Sequence, residues 1–139
     1  MADKAVENLK TCMNNNFWIA YDSLDSKKAT SILPKGIELA KELQQAIVRM
    51  GKSLIDRKEV KVTNSFRYVM IENDILKDTT IFQFPLALQK LALFVLELYL
   101  SEKKKANDKP MVMCIKNSHT GMTLIVSVMG HNQQDTYKK

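Results

Sequence analysis

The chain has 139 residues, of which 45% are hydrophobic and 26% are charged, and its formal net charge is +6. This size and composition are typical of one globular domain and exclude a disordered or fibrous chain. The longest apolar run, residues 86–100, is interrupted by Gln89, Lys90 and Glu97. A run of this length is too short to cross a bilayer, so no membrane span is predicted.

The two cysteines, Cys12 and Cys114, lie far apart in the sequence and within apolar patterns. Free cysteines in such patterns are typically buried thiols of a reducing compartment. The first residues also lack the basic and apolar stretches of a secretory signal, and we therefore expect a cytoplasmic protein. Neither Cys nor His residues have metal-ligand spacing, so the sequence predicts no metal and no cofactor.

Helical periodicity dominates the first 57 residues. Apolar residues spaced three and four apart predict an amphipathic helix over residues 3–24. A second helix is expected to begin near Pro34, with Ser31 as its cap, and to run to about Arg57. Gly51 inside that helix is unfavourable by about 1 kcal/mol relative to Ala, and close packing against a neighbour is the usual compensation.

The pattern changes to a period of two at residues 60–71. This alternation predicts one long strand, or a hairpin that turns at Asn64 and Ser65. Pro85 then opens a helix that runs to about Lys105, with apolar residues around most of its circumference. A sheet can cover one side of such a helix, and other helices of the chain or a second subunit must cover another.

Residues 111–116 and 122–129 are two β-type runs joined by a five-residue turn, which indicates a hairpin. The element order α-α-β-α-β-β predicts a two-layer α+β domain over residues 1–130. In this domain three main helices pack on a small antiparallel sheet of three or four strands. Residues 131–139 are polar and aperiodic, and we expect them to form a disordered tail.

Two groups of polar residues favour a site for an anionic ligand. Strand alternation puts Lys61 and Arg67 on one sheet face, opposite an inward face that carries Phe66 and Tyr68. A merely solvated sheet face would show the same pattern. The loop at residues 117–121 offers a histidine beside amide and hydroxyl groups, which also suit an ordinary turn. The predicted ligand-binding residues are Arg57, Lys61, Arg67, Asn117, His119 and Thr120.

Apolar residues that one small sheet cannot cover predict a second kind of surface, an interface between subunits. Leaving several leucines exposed would favour association, because each buried leucine is worth about 1.5–3 kcal/mol. A buried aromatic anchor is also typical of interfaces. The predicted interface residues are Trp18, Leu91, Phe94, Val95 and Leu98.

The sequence contains no recognisable catalytic motif, and its 4 glycines are too few for a phosphate-binding loop. Our leading hypothesis is a non-enzymatic homo-oligomer, dimeric or larger, that sequesters or senses a nucleotide or nucleic acid. The alternative is a protein-interaction module that regulates or inhibits a partner protein. A third hypothesis, a small hydrolase or nuclease, would depend on Glu72, Asp74 or His119.

Overall fold

The computed structural model describes residues 11, 15–72, 79–103, 109–117 and 121–129. The chain divides into two compact units, residues 1–44 and residues 45–139, which are described separately. The first unit contains helix α1, at residues 15–22, and the beginning of helix α2, Ser26–Asp56. The second unit contains the rest of α2, a four-stranded sheet and helix α3, Pro85–Lys103.

Helix α2 begins at Ser26, eight residues before the predicted start at Pro34. The reason is a cap that the sequence prediction missed: the Asp25 carboxylate accepts a hydrogen bond from the backbone N–H of Lys27 at 3.1 Å. Ser31 and Pro34 therefore lie inside α2, although an interior proline removes one helical hydrogen bond. The predicted placement of this helix start was wrong.

Helix α2 ends in a hydrogen-bonded turn in which Lys58 has a φ of 57°. The N–H of Lys58 donates to the carbonyl of Ile55 at 2.9 Å, and the N–H of Glu59 donates to the carbonyl of Leu54 at 3.0 Å. This pair of bonds is the Schellman arrangement, which satisfies helical carbonyls that would otherwise lack donors. The predicted end of the helix near Arg57 is confirmed.

The sheet has four strands in the spatial order β1-β2-β3-β4. They are β1, Lys61–Val62; β2, Arg67–Ile71; β3, Met111–Lys116; and β4, Thr123–Val128. The α+β class and the element order are confirmed. The segment at residues 60–71 is a hairpin, closed at Thr63 by an N–H bond of 2.8 Å to the carbonyl of Phe66.

The sheet is mixed, whereas the sequence predicted a wholly antiparallel one. Strands β1 and β2 are antiparallel, as are β3 and β4, but β2 and β3 are parallel. The physical reason is the connection between β2 and β3, which passes through α3. A helical crossover returns the chain to the end of the sheet at which it started, and the next strand then runs in the same direction.

Helix α3 covers one face of the sheet and contacts both β3 and β4. It is preceded by a short 3-10 turn, Ile81–Gln83, whose Phe82 side chain is fully buried. The core also includes residues from the last turns of α2. The buried apolar residues are Ala46, Ile47, Met50, Leu54, Val69, Ile71, Phe82, Ala87, Leu88, Leu91, Ala92, Val95, Leu96, Met111, Met113, Ile115 and Val128.

The single domain predicted over residues 1–130 stays a prediction, and the predicted tail at residues 131–139 lies outside the described residues. Within the residues that the structure describes, no helix has both the length and the apolar character needed to span a bilayer.

Gly51 lies where α2 packs against α3, within the second unit. A Cβ atom added at Gly51 would lie 2.6 Å from Cδ1 and 2.7 Å from Cε1 of the Phe94 ring. These separations are far below van der Waals contact, so only glycine lets the two helices approach this closely. The predicted compensation for Gly51, close packing against a neighbour, is confirmed. The part of α2 that belongs to the second unit thus covers a second side of α3.

We expect Gly51→Ala to lower the free energy of unfolding by about 1–3 kcal/mol, because the new methyl group would overpack the contact with Phe94. Gly36 is the matched control, since it also lies inside α2 but has no atom within 4 Å of an added Cβ. Gly36→Ala should stabilise the chain by up to about 1 kcal/mol. Urea unfolding measures both. Equal effects at the two positions would contradict the packing described here.

Candidate functional site

Arg67, a predicted ligand-binding residue, points into the interior of the second unit and is only 2% exposed. Its guanidinium carbon lies 5.6 Å from the centre of the Tyr99 ring on α3, within the range of a cation–π interaction. Its Nη1 atom donates a hydrogen bond to the backbone carbonyl of Lys109. Both contacts are internal to the chain, so Arg67 is held between the sheet and α3.

A second set of hydrogen bonds joins the β1–β2 turn to the residues that lead into β3. The backbone N–H of Arg67 donates to the carbonyl of Pro110 at 2.8 Å. The Lys109 ammonium donates to the carbonyl of Thr63 at 2.9 Å, and the Thr63 hydroxyl donates to the carbonyl of Phe66 at 2.8 Å. These bonds fix the start of β3 beside the start of β2, which sets the parallel register.

The predicted division of the β1–β2 hairpin into two faces is wrong. Arg67 is buried, whereas Phe66 is exposed and Tyr68 is half-buried. Lys61 pairs with Tyr68 across the antiparallel ladder, so it lies on the opposite face from Arg67. Because the turn shifts the register of the alternation, the two cations do not form one anion site.

The other predicted ligand-binding residues are also dispersed. Asn117 follows the last residue of β3, and Arg67 pairs with the first residue of that strand. Six residues of strand separate the two positions by roughly 20 Å, which is too far for one phosphate group. The Asn117 side chain donates to the Gln83 side-chain carbonyl at 2.8 Å. His119 and Thr120 lie outside the described residues.

Arg57 is exposed in the turn that follows α2. The neighbouring cleft, of about 210 Å³, lies between the ends of α2 and α3. Its lining residues are Ile55, Lys58, Val60, Tyr99 and Glu102. This lining offers one cation and one carboxylate among apolar groups, and it includes none of the predicted ligand-binding residues.

The predicted interface residues differ in how far the chain itself buries them. Leu91 and Val95 are fully buried, so they form the core of the single chain and offer no surface to a partner. Phe94 and Leu98 are half-buried. Trp18 is 60% exposed on α1, in the first unit, and the centre of its ring lies 5.3 Å from that of Phe17. An interface role for these last three residues stays a prediction.

The face of the sheet that α3 does not cover is mostly apolar at its centre, and we call it the open sheet face. It carries the side chains of β2, β3 and β4 that alternate with the buried ones. Met70 is 59% exposed, Ile125 is 61% exposed, and Cys114 lies between them in the register. The apolar residues of the open sheet face are Phe66, Tyr68, Met70, Val112, Cys114 and Ile125. The exposed Thr123 and Ser127 of β4 share this face, and Lys61, Glu72 and Lys116 lie at its margins.

The sequence interpretation did not predict this surface, because it considered the outer face of residues 61–68 only as an anion site or as a solvated face. The missed signal is the near absence of alternation in residues 68–71, 111–115 and 124–126, where consecutive residues are apolar. Strands of this kind are typical of a sheet that is covered on both sides. The pattern therefore pointed to two apolar faces, of which one carries exposed apolar side chains in the part of the chain that the structure describes.

Cys114 is a free thiol near the centre of the open sheet face. Partial burial among apolar neighbours raises the pKa of the Cys114 thiol, because desolvation disfavours the charged thiolate. The predicted free thiol is thus confirmed at this position, although the side chain is half-buried rather than buried; Cys12 lies outside the described residues. Over the part of the chain that is described, no three acidic, His or Cys side chains cluster in a way that would hold a metal ion.

Comparison with known proteins identifies a family. The family model described as CDC45 matches residues 1–139. The "Cell division control protein 45" of Saccharomyces cerevisiae is 28% identical over 121 residues, which are 87% of this chain and 18% of that protein. The homologue from Dictyostelium discoideum is 34% identical over 84% of this chain and 17% of its own length. The one from Schizosaccharomyces pombe is 32% identical over 81% of this chain and 18% of its own length.

These matches correct the leading functional hypothesis. A homo-oligomeric protein that sequesters or senses a nucleotide or nucleic acid is wrong, because the relatives are cell division control proteins and nothing in the comparisons indicates a homo-oligomer. The expectation of a nucleotide-binding protein is wrong for the same reason. The chain spans about one sixth of the length of each relative that it matches.

We expect Arg67→Ala to lower the free energy of unfolding by about 2–4 kcal/mol, because it removes a charge-assisted hydrogen bond and a cation–π contact. Arg57→Ala is the matched control: Arg57 is exposed, so its loss should change stability by no more than about 0.5 kcal/mol. Urea unfolding of both variants measures the difference. If Arg67→Ala were as stable as the unmodified chain, the structural role of Arg67 would be refuted.

We expect the Cys114 thiol to react more slowly in the folded chain than in urea at the same pH, by several-fold, since its raised pKa lowers the thiolate fraction. The protonated thiol favours the folded state below the ordinary thiol pKa, and this contribution declines as the pH rises through the raised pKa. Ellman's reagent on a Cys12→Ser variant gives the rate against pH. Identical pH profiles for the folded and unfolded chain would count against the raised pKa.

Proposed function

The chain belongs to the CDC45 family, and on that basis we propose that it acts in the initiation of DNA replication, within a replicative helicase complex. The observation that supports this proposal is the family match over all 139 residues. The proposed partners are other protein chains of that complex and DNA, and the proposed location is the nucleus. The predicted intracellular location agrees with this proposal, whereas an assignment to the cytoplasm does not follow from it.

The described structure supports a role in assembly. Its most distinctive surface is an apolar sheet face rather than a polar cleft, and its buried cation, Arg67, is occupied by internal contacts. The formal net charge of +6 is favourable for proximity to DNA, because lysine and arginine side chains displace the counterions of the phosphate backbone. This electrostatic term supplies attraction without sequence recognition.

The proposal predicts that acute depletion of this chain in the cells that express it blocks the start of DNA synthesis. Incorporation of a labelled thymidine analogue should fall at least ten-fold in one cell cycle, and cells should accumulate with unreplicated DNA. Re-expression of the unmodified chain is the control and should restore incorporation. Normal incorporation after complete depletion would exclude a role in replication initiation.

A further inference from the structure

The open sheet face includes the parallel pair β2 and β3. Wholly parallel sheets are almost always covered on both faces, and strands that are covered on both faces have near-continuous apolar runs like those of β2 and β3. Here α3 covers one face, and Met70 and Ile125 on the other are more than half exposed, at 59% and 61%. An exposed apolar face of this kind marks a site that another element covers.

We propose that the open sheet face binds an amphipathic α-helix with acidic flanks, supplied by a segment outside these 139 residues. The inference rests on the sheet and its register, not on the proposed role in replication. The relatives contain ample sequence to supply such a segment, since more than four fifths of each lies outside the match.

A helix fits this face better than a strand does. The apolar side chains form a band that crosses three strands, from Phe66 and Tyr68 through Met70 and Cys114 to Ile125. Three strands at about 4.8 Å spacing give a width near that of one helix, about 10 Å. A strand added at the edge of β4 would pair with backbone groups and would leave Cys114 and Met70 uncovered.

The charges at the margins favour acidic flanks on the helix. Lys61 lies at the β1 side of the band, and Lys116 lies at the end of β3. Both side chains are exposed, and Glu72, just after β2, is the acidic residue at the same end as Lys116. Among the described residues, the margins thus carry two cations, Lys61 and Lys116, and one carboxylate, Glu72, which lies next in register to Lys116, within a chain whose formal charge is +6. Carboxylates on either side of an apolar stripe would complement Lys61 and Lys116.

Cys114 reports directly on occupancy of the open sheet face. In a Cys12→Ser variant of the full chain, iodoacetamide alkylation of Cys114 is measured with three synthetic 18-residue peptides. One has a leucine and isoleucine stripe flanked by glutamates, one has the same stripe flanked by lysines, and one is a scramble of the first. We expect the glutamate-flanked helix to slow alkylation at least five-fold at saturation, and the other two to slow it less than two-fold.

Three exposed apolar positions supply matched variants. Met70→Glu and Ile125→Glu place a charge on the open sheet face and should abolish the protection. Leu86→Glu introduces the same charge on α3, at a residue that is 74% exposed, and should leave the protection unchanged. Circular dichroism checks that each variant retains the fold.

The following outcomes would overturn the proposal: no protection by the glutamate-flanked helix at millimolar concentration; equal protection by all three peptides; or protection that Met70→Glu and Ile125→Glu do not affect. Protection of Cys114 without peptide that rises with protein concentration would show a second copy on this face, which also overturns it. The depletion experiment tests the role in replication independently of the open sheet face, so either proposal can fail without the other.

Discussion

Parallel pairing of β2 with β3 dictates how the second unit distributes its apolar residues. A parallel pair requires a long crossover, and in this chain the crossover is α3. The helix contacts β3 and β4, and Met113 and Ile115 of β3 are buried on that side of the sheet. Because strand residues alternate, the same pairing turns Met70 and Cys114 to the other side, where Met70 is 59% exposed and Cys114 is half-buried. The parallel pairing of β2 with β3 therefore determines both the buried core and the open sheet face.

Arg67 is a buried charged residue that connects several elements of this fold. It lies at the start of β2, where the hairpin, the entry to β3 and the end of α3 come together. A buried cation is costly unless its donors are used and its charge is compensated. The Lys109 carbonyl and the Tyr99 ring contribute to this compensation, and the Lys109 ammonium in turn bonds to the carbonyl of Thr63. The same arginine that resembles a ligand-binding residue in the sequence thus joins three elements of the fold.

The sequence predicted the elements better than their environment. The ends of α3, the β3–β4 hairpin and the tight packing at Gly51 followed from proline, glycine and apolar spacing, which are local signals. The start of α2 was not predicted correctly, because the cap at Asp25 begins the helix before Pro34, and the helix continues through this interior proline. The faces of the β1–β2 hairpin were also not predicted correctly. The turn at residues 63–66 changes which residues of the two strands share a face, and the sequence pattern does not show this change. The candidate site was predicted from that offset pattern, so its residues are dispersed.

The methionines on the two faces of the sheet differ sharply in exposure. Limited oxidation of the folded chain by hydrogen peroxide, followed by peptide mass spectrometry, measures the reactivity of each one. Met70 and Met129, which are 59% and 64% exposed, should be oxidised much faster than Met111 and Met113, which have no exposed surface. If Met111 and Met113 react as fast as Met70, then α3 does not cover the face assigned to it, and the docking surface inferred on the opposite side has no basis.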